Sequence, residues 1–239
     1  MDNVSSQSVS LLDEGLRSAL IDAGAVLVGY ADLTMLPEDQ REGLPMGVAV
    51  AVLHQKDVIR GISVEPTREY REWYDLLNNR LDSIVTTGAQ YLTERGYNAV
   101  ARTRAYATYT HETLRTTLPH KTVARLGGLG WIGKCALLVT PEYGSMVRIS
   151  ALVTDAPLTP AHPTDEPRCG NCHVCVDQCP GHAPSGRNWS LGMERESFFD
   201  ARACETYARE VCTRLFGDNP SICGKCIAVC PHTRRYLAS

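Results

Sequence analysis

Nine of the ten cysteines fall between Cys169 and Cys230, and the tenth is Cys135. Thiols that staple a whole fold are spread along it, whereas thiols gathered in this way hold metal. The first run is Cys169-Gly-Asn-Cys172-His-Val-Cys175-Val-Asp-Gln-Cys179-Pro180, a C-x2-C-x2-C-x3-C-P spacing. A tight loop of that form turns three thiolates onto one [4Fe–4S] cubane and sends the fourth, a turn of helix later, to a second cubane. The second run, Cys223-Gly-Lys-Cys226-Ile-Ala-Val-Cys230-Pro231, is one thiolate short. Cys204, on a helical pattern over residues 200–216, is the natural supplier. The expected ligand sets are therefore Cys169, Cys172, Cys175 and Cys230 for one cluster, and Cys179, Cys204, Cys223 and Cys226 for the other. Four-cysteine zinc sites usually pair two C-x2-C units, and neither run has that form. Cys212, left over, reads as a small core residue. Two clusters imply one-electron transfer, and the long segment before Cys169 suggests a redox site that they feed.

A second segment invites a different chemistry. Gly128-Leu-Gly130-Trp-Ile-Gly133 has the G-x-G-x-x-G form, but a dinucleotide fingerprint needs a strand before it and a helix after it. Here a helix starting near Pro119 precedes it and a strand, Ala136–Thr140, is expected to follow. The surrounding window, residues 101–134, carries Arg102, Arg104, Arg115, Lys121, Arg125 and Lys134 against Glu112 alone. It is +5 in a chain of net charge −3, a local field suited to an anionic cofactor or substrate. Side chains in that window able to move a proton are Tyr106, Tyr109, His111, Glu112 and His120.

The elements that must position these groups are partly legible. Leu12, Leu16, Ala19 and Leu20 mark one face of a helix over 10–23, with Gly24 as its stop. Ala25–Tyr30 and Gly47–Leu53 are Val- and Ala-rich strands. Tyr70, Trp73, Leu77, Leu81, Ile84, Gly88 and Tyr91 recur at spacings of three and four, predicting a long helix over 68–95 with this stripe in the core. Ala136–Thr140 and Val147–Thr154 read as strands joined by a turn at Pro141–Ser145. Asp200 and Gly217 read as the N-cap and stop of the helix that carries Cys204. The fold expected is α+β: an N-terminal α/β sheet domain with flanking helices, then a C-terminal ferredoxin-like domain with two [4Fe–4S] clusters. Residues 156–168 hold four of the 13 prolines and read as a linker. The boundary is placed near Thr159, giving domains 1–158 and 159–239.

Taken in order, these blocks resemble the epoxyqueuosine reductase family, which is related to the cobalamin-dependent reductive dehalogenases. The family carries AGLGW-x-GK, a strand pair, CGxCxxCxxxCP, a lone helical Cys and CxxCxxxCP. Here Gly127 replaces the leading Ala, and the likeness is strong over 118–235 and loose over 17–117. The resemblance implies an N-terminal corrinoid domain holding base-off cobalamin and a cluster module that reduces it. By matching position it implies that Gly128, Gly130, Trp131, Gly133 and Lys134 lie near the corrin, with Cys135 where the family has Asn. It also implies a proton donor. The family's Asp has no counterpart in Thr110–Arg115, which leaves Glu112 or His111, while the tyrosine donor of the dehalogenases points to Tyr106 or Tyr109. The family's tRNA-holding C-terminal segment has no counterpart in the nine residues after Cys230, so tRNA is doubtful as a partner.

Composition is that of a globular protein, 44% hydrophobic and 21% charged, which argues against a mainly disordered chain. The first ten residues show no secretory pattern. The longest apolar run, Met46–Leu53, is far short of the roughly 18 residues of a membrane span. A cytoplasmic protein with no membrane partner is expected, its thiols reduced. The function expected is an iron–sulfur reductase that passes electrons through two [4Fe–4S] clusters to a corrinoid site and reduces a small molecule. The partner is a low-potential electron donor of ferredoxin or flavodoxin type. The alternative is a non-catalytic electron carrier or reductive activator for a corrinoid partner protein.

Overall fold

The computed structural model describes residues 2–106, 109–163 and 167–239; Thr164–Glu166 of the expected linker lie outside the described residues. The elements run α1 (Asp2–Asp22), β1 (Leu27–Asp32), β2 (Met46–Leu53), α2 (Lys56–Gly61), α3 (Arg68–Thr93), β3 (Ala99–Ala101), β4 (Tyr109–Thr110), β5 (Arg115–Thr116) and α4 (His120–Leu126). There follow β6 (Trp131–Ile132), β7 (Leu138–Val139), β8 (Val147–Thr154), α5 (Val174–Asp177), a 3-10 turn at Arg195–Ser197, α6 (Ala201–Phe216), α7 (Lys225–Val229) and α8 (Pro231–Ala238). The mixed helix-and-strand class expected is found.

By its own contacts the chain gathers into two interleaved compact units. Among described residues the first holds 2–52, 77–129 and 148–163, and the second holds 53–76, 130–147 and 167–239. The second unit thus recruits two segments that precede residue 159. A long helix is divided between them: Arg68–Leu76 of α3 gathers with the second unit and Leu77–Thr93 with the first.

The first unit is built on a four-stranded sheet ordered β1-β2-β8-β3. β1 and β2 pair antiparallel from Leu27↔Ala51 to Asp32↔Met46, and β3 pairs antiparallel with β8 from Ala99↔Thr154 to Ala101↔Leu152. β2 is buried on both faces, which is why it reads as a near-continuous apolar run rather than an alternation. Leu16 and Leu20 of α1 and Leu77, Ile84 and Leu92 of α3 are fully buried, so the stripe seen in the sequence is core. α4 follows Pro119 as expected, and its Val123 packs at Gly47 of β2.

The second unit has a core of Val58 and Ile59 from α2, Ile62 just after it, Tyr70 from α3, the loop residue Met146, Val211 and Cys212 from α6, and Ile227 and Ala228 from α7. Cys212 is a buried core thiol whose Sγ lies 3.2 Å from the Ile222 carbonyl. The caps of α6 are as read: the Asp200 side chain accepts the Ala203 N–H at 2.9 Å, and Gly217 closes the helix at φ 82°. One expected strand is shorter than the sequence suggests. Ala136 takes φ 59° in a tight turn closed by Gly133 N–H to the Leu137 carbonyl at 2.8 Å. That turn folds β6 back on β7 with Trp131 opposite Val139 and Ile132 opposite Leu138. Trp131 and Ile132 of the glycine-rich segment are therefore themselves a strand.

Candidate functional site

The first cysteine run folds as a loop and one short helix. The Cys172 N–H reaches the Cys169 carbonyl at 2.9 Å, and α5 then begins at Val174, so Cys169, Cys172 and Cys175 come round to one side. Cys230 arrives from the end of the second run, at the junction between α7 and α8, where Pro231 starts α8. Together Cys169, Cys172, Cys175 and Cys230 line one cavity of about 100 Å³. This is the first ligand set expected from the spacing, brought together by the fold. Burial pushes the Cys230 thiol up, and the backbone N–H groups of Thr233 and His232, donated at the start of α8, work against it.

The glycine-rich segment forms another wall. Gly133, Lys134, Cys135 and Val139 line the same cavity, joined by Arg168 and His232. Trp131 is buried behind it, with its Nε1–H donated to Cys169 Sγ at 3.4 Å and its ring edge-on to His232 at 4.9 Å between centroids. Gly130 permits this hairpin, since a Cβ there would sit 2.1 Å from the Val139 carbonyl oxygen. Lys134 is 2% exposed, and its Nζ lies 3.3 Å from His173 Nε2. Among the described residues no carboxylate pairs with it. A buried ammonium without an anion is costly, and a cavity of four thiolates around an iron–sulfur cluster is an anion. The donor set, the cavity and the facing cation fit such a cluster.

The second set is gathered differently. Burial, followed by the nearby Cys223 and Cys179, raises Cys204 to about 11. Burial raises Cys223 as well, opposed by the backbone N–H of Lys225. Cys179, Cys204 and Cys223 are thus close enough for their charges to act on one another. Cys226 lies beside Cys135. The Cys135 thiol, 4% exposed, shares hydrogen bonds with Cys175, which pulls its pKa down, and with Cys226, which with burial pushes it well above the ordinary range. Cys135 therefore stands between a member of each expected set. Its hydrogen bond, and then burial, push Cys175 up.

Of the residues matched to a corrin pocket, Trp131, Gly133, Lys134 and Cys135 are at the thiol cavity and Gly130 serves the hairpin. Gly128 is the exposed member, at φ 75°, with Ala161 Cβ 2.9 Å from where a side chain would begin. The four proton-donor candidates belong to the first unit. Tyr106 donates its hydroxyl proton to Glu42 Oε2 at 2.6 Å, a bond that holds its pKa up, and Glu42 also pairs with the buried Arg102. Tyr109 and His111 meet edge-on at 5.0 Å between centroids, and both are exposed, as is Glu112. His120 is partly buried with Nδ1 3.3 Å from the Ile149 carbonyl, and burial lowers its pKa. Glu42, Arg168, His173 and His232 were not singled out from the sequence. The last two sit inside or beside the cysteine runs, and that adjacency was the available signal.

No family profile matches the chain. A curated protein named epoxyqueuosine reductase from Listeria monocytogenes serovar 1/2a (strain EGD-e) is 35% identical over 119 residues, 47% of this chain and 29% of that protein. Another of that name, from Synechococcus sp. (strain CC9605), is 37% identical over 132 residues, 51% of this chain and 38% of its own length. The chain spans about a third of the curated relatives it matches. Among solved structures, an epoxyqueuosine reductase bound to an epoxyqueuosine-modified tRNA-Tyr stem loop aligns with a TM-score of 0.59 and 21% identity, over 95% of this chain and 66% of that one. A reductive dehalogenase whose structure bears on B12-dependent dehalogenation aligns at 0.70 and 20%, over 94% and 33%. The resemblance read from the sequence is borne out, and the named relatives are enzymes. Among the described residues no helix is long and apolar enough to cross a membrane.

Proposed function

We propose that this chain, a relative of the epoxyqueuosine reductases, is an iron–sulfur oxidoreductase with two [4Fe–4S] clusters held in a ferredoxin-like module over 159–239. Cys169, Cys172, Cys175 and Cys230 hold one, and Cys179, Cys204, Cys223 and Cys226 the other. The observation that carries this reading is the single cavity lined by the first four thiols and faced by the buried Lys134 ammonium. The clusters, when bound, pass single electrons. The chain's own groups orient and shield them: Trp131 bonds the Cys169 sulfur, and the start of α8 directs N–H groups at Cys230. Ten cysteines free of disulfides suit the reducing cytoplasm.

The acceptor is a corrinoid held by residues 1–158, with the exposed backbone at Gly128 as part of its seat, and the donor is a low-potential ferredoxin or flavodoxin. This is supported by the B12 chemistry of the dehalogenase that shares the fold. When bound, the corrinoid supplies a strongly reducing metal centre. The substrate is a small molecule or a modified base. The tRNA stem loop held by the structural neighbour makes that RNA the first one to assay. Protons come from Tyr109, His111 or Glu112, which are exposed, rather than from Tyr106, whose proton is shared with Glu42.

The test is anaerobic reconstitution with iron and sulfide, followed by titration with cob(II)alamin under low-potential reductant. About eight irons per chain and a base-off cobalamin spectrum are expected. About four irons, or zinc in their place, refutes the two-cluster reading. A second reading, an electron carrier or activator for a corrinoid partner protein, is favoured by the exposure of the proton-donor candidates. It is the one that stands if eight irons bind and the cobalamin spectrum does not change.

A further inference from the structure

The two ligand sets sit in unequal electrostatic surroundings. Beside the first set lies Lys134, buried to 2% exposure and, among the described residues, with no carboxylate partner. Its Nζ lies 3.3 Å from His173 Nε2, and its charge acts on Cys175. Arg168 lines the same cavity. Trp131 Nε1–H is donated to Cys169 Sγ at 3.4 Å. Beside the second set charges of both signs stand close, and the cation there is less buried than Lys134. Asp200, at the N-cap of α6, gives its carboxylate to the Ala203 N–H at 2.9 Å. Glu205, next to Cys204, is paired with Arg202 at 2.8 Å and Arg209 at 3.0 Å. Lys225, between Cys223 and Cys226, is half-buried: its ammonium is hydrogen-bonded to the Ser63 carbonyl and its charge still acts on Cys223.

Adding an electron to a thiolate-ligated cluster makes it more negative. A fixed cation in a low-dielectric site, and N–H donors on the ligand sulfurs, stabilise that reduced form. We propose that the cluster held by Cys169, Cys172, Cys175 and Cys230 has the higher reduction potential of the two, set by Lys134 and Trp131, so that electrons run from the second cluster to the first. The inference rests on the two-cluster reading. Each transfer oxidises the second cluster by one electron and reduces the first by one. No bond breaks and no proton moves, and the electron enters from an external low-potential one-electron donor.

The test uses the full chain, reconstituted anaerobically and titrated with dithionite while the reduced clusters are followed by electron paramagnetic resonance. The wild type shows two midpoint potentials. Lys134→Met lowers the upper one by at least a factor of ten in its reduction equilibrium, about 59 mV for one electron, and leaves the lower one in place. Lys134→Arg keeps both. Trp131→Phe moves the upper potential in the same direction by less. Cys204→Ser, at a ligand of the second set alone, identifies the lower potential as that cluster's. Iron is counted for every variant first, and if Lys134→Met loses iron, Trp131→Phe carries the test. The inference is overturned if the charge-removing variant shifts neither potential, or shifts the one marked by Cys204→Ser. A wild type with about four irons instead overturns the two-cluster reading itself.

Discussion

At the scale of single residues, Cys135 and His120 show how burial decides what a reactive group can do. Cys135 touches Cys175 and Cys226, yet both expected sets are complete without it. Cys135→Ala is expected to keep about eight irons per chain by colorimetric iron assay. A loss of about four would make it a ligand. His120 is held neutral by burial, with Nδ1 at the Ile149 carbonyl. Its folded pKa is lowered, so below the unfolded value near ~6.5 the unfolded chain binds the extra proton and the folded chain does not. The stability it preserves is present above that pH and is lost as pH falls through the window toward the folded pKa. Urea unfolding between pH 7.5 and 5.5, values chosen about the ~6.5 reference, should show a falling stability in the wild type and a shallower slope in His120→Gln.

At the scale of elements, the hairpin that places Trp131 depends on Gly130. A Cβ there would sit 2.1 Å from the Val139 carbonyl oxygen, a backbone atom that cannot rotate away. Gly130→Ala should cost about 3 kcal/mol or more and should also lower iron retention, because β6 can no longer lie on β7. Denaturant titration and an iron count measure the two effects separately. α6 makes a milder case. Asp200→Ala removes an N-cap bond and should cost about 1 kcal/mol, while Asp200→Asn should be close to neutral.

At the scale of the molecule, the second unit is assembled from three stretches of chain, residues 53–76, 130–147 and 167–239. Its proposed clusters tie ligands from Cys169 to Cys230, so metal binding there is also folding energy. Stripping iron with a chelator should cost hydrogen-exchange protection first at amides of 167–239, with the sheet of β1, β2, β3 and β8 retaining its protection. A uniform loss over both units would show that the clusters do not serve as that local staple.

Much of this was legible locally. The x2, x2, x3 cysteine spacing, the apolar stripe of α3 and the Asp200 and Gly217 boundaries of α6 are short-range patterns, fixed by loop reach and by the 3.6-residue turn. The strand expected at Ala136–Thr140 was not, because Ala136 adopts a left-handed turn that nothing in its side chain announces. Nor could spacing say that Lys134 and Trp131, in a segment matched to a corrin, would face thiols some 40 residues further along. Residue types and their intervals name the ligands and the helices. Which buried cation meets which sulfur is settled by packing between stretches remote in sequence, which no local spacing encodes.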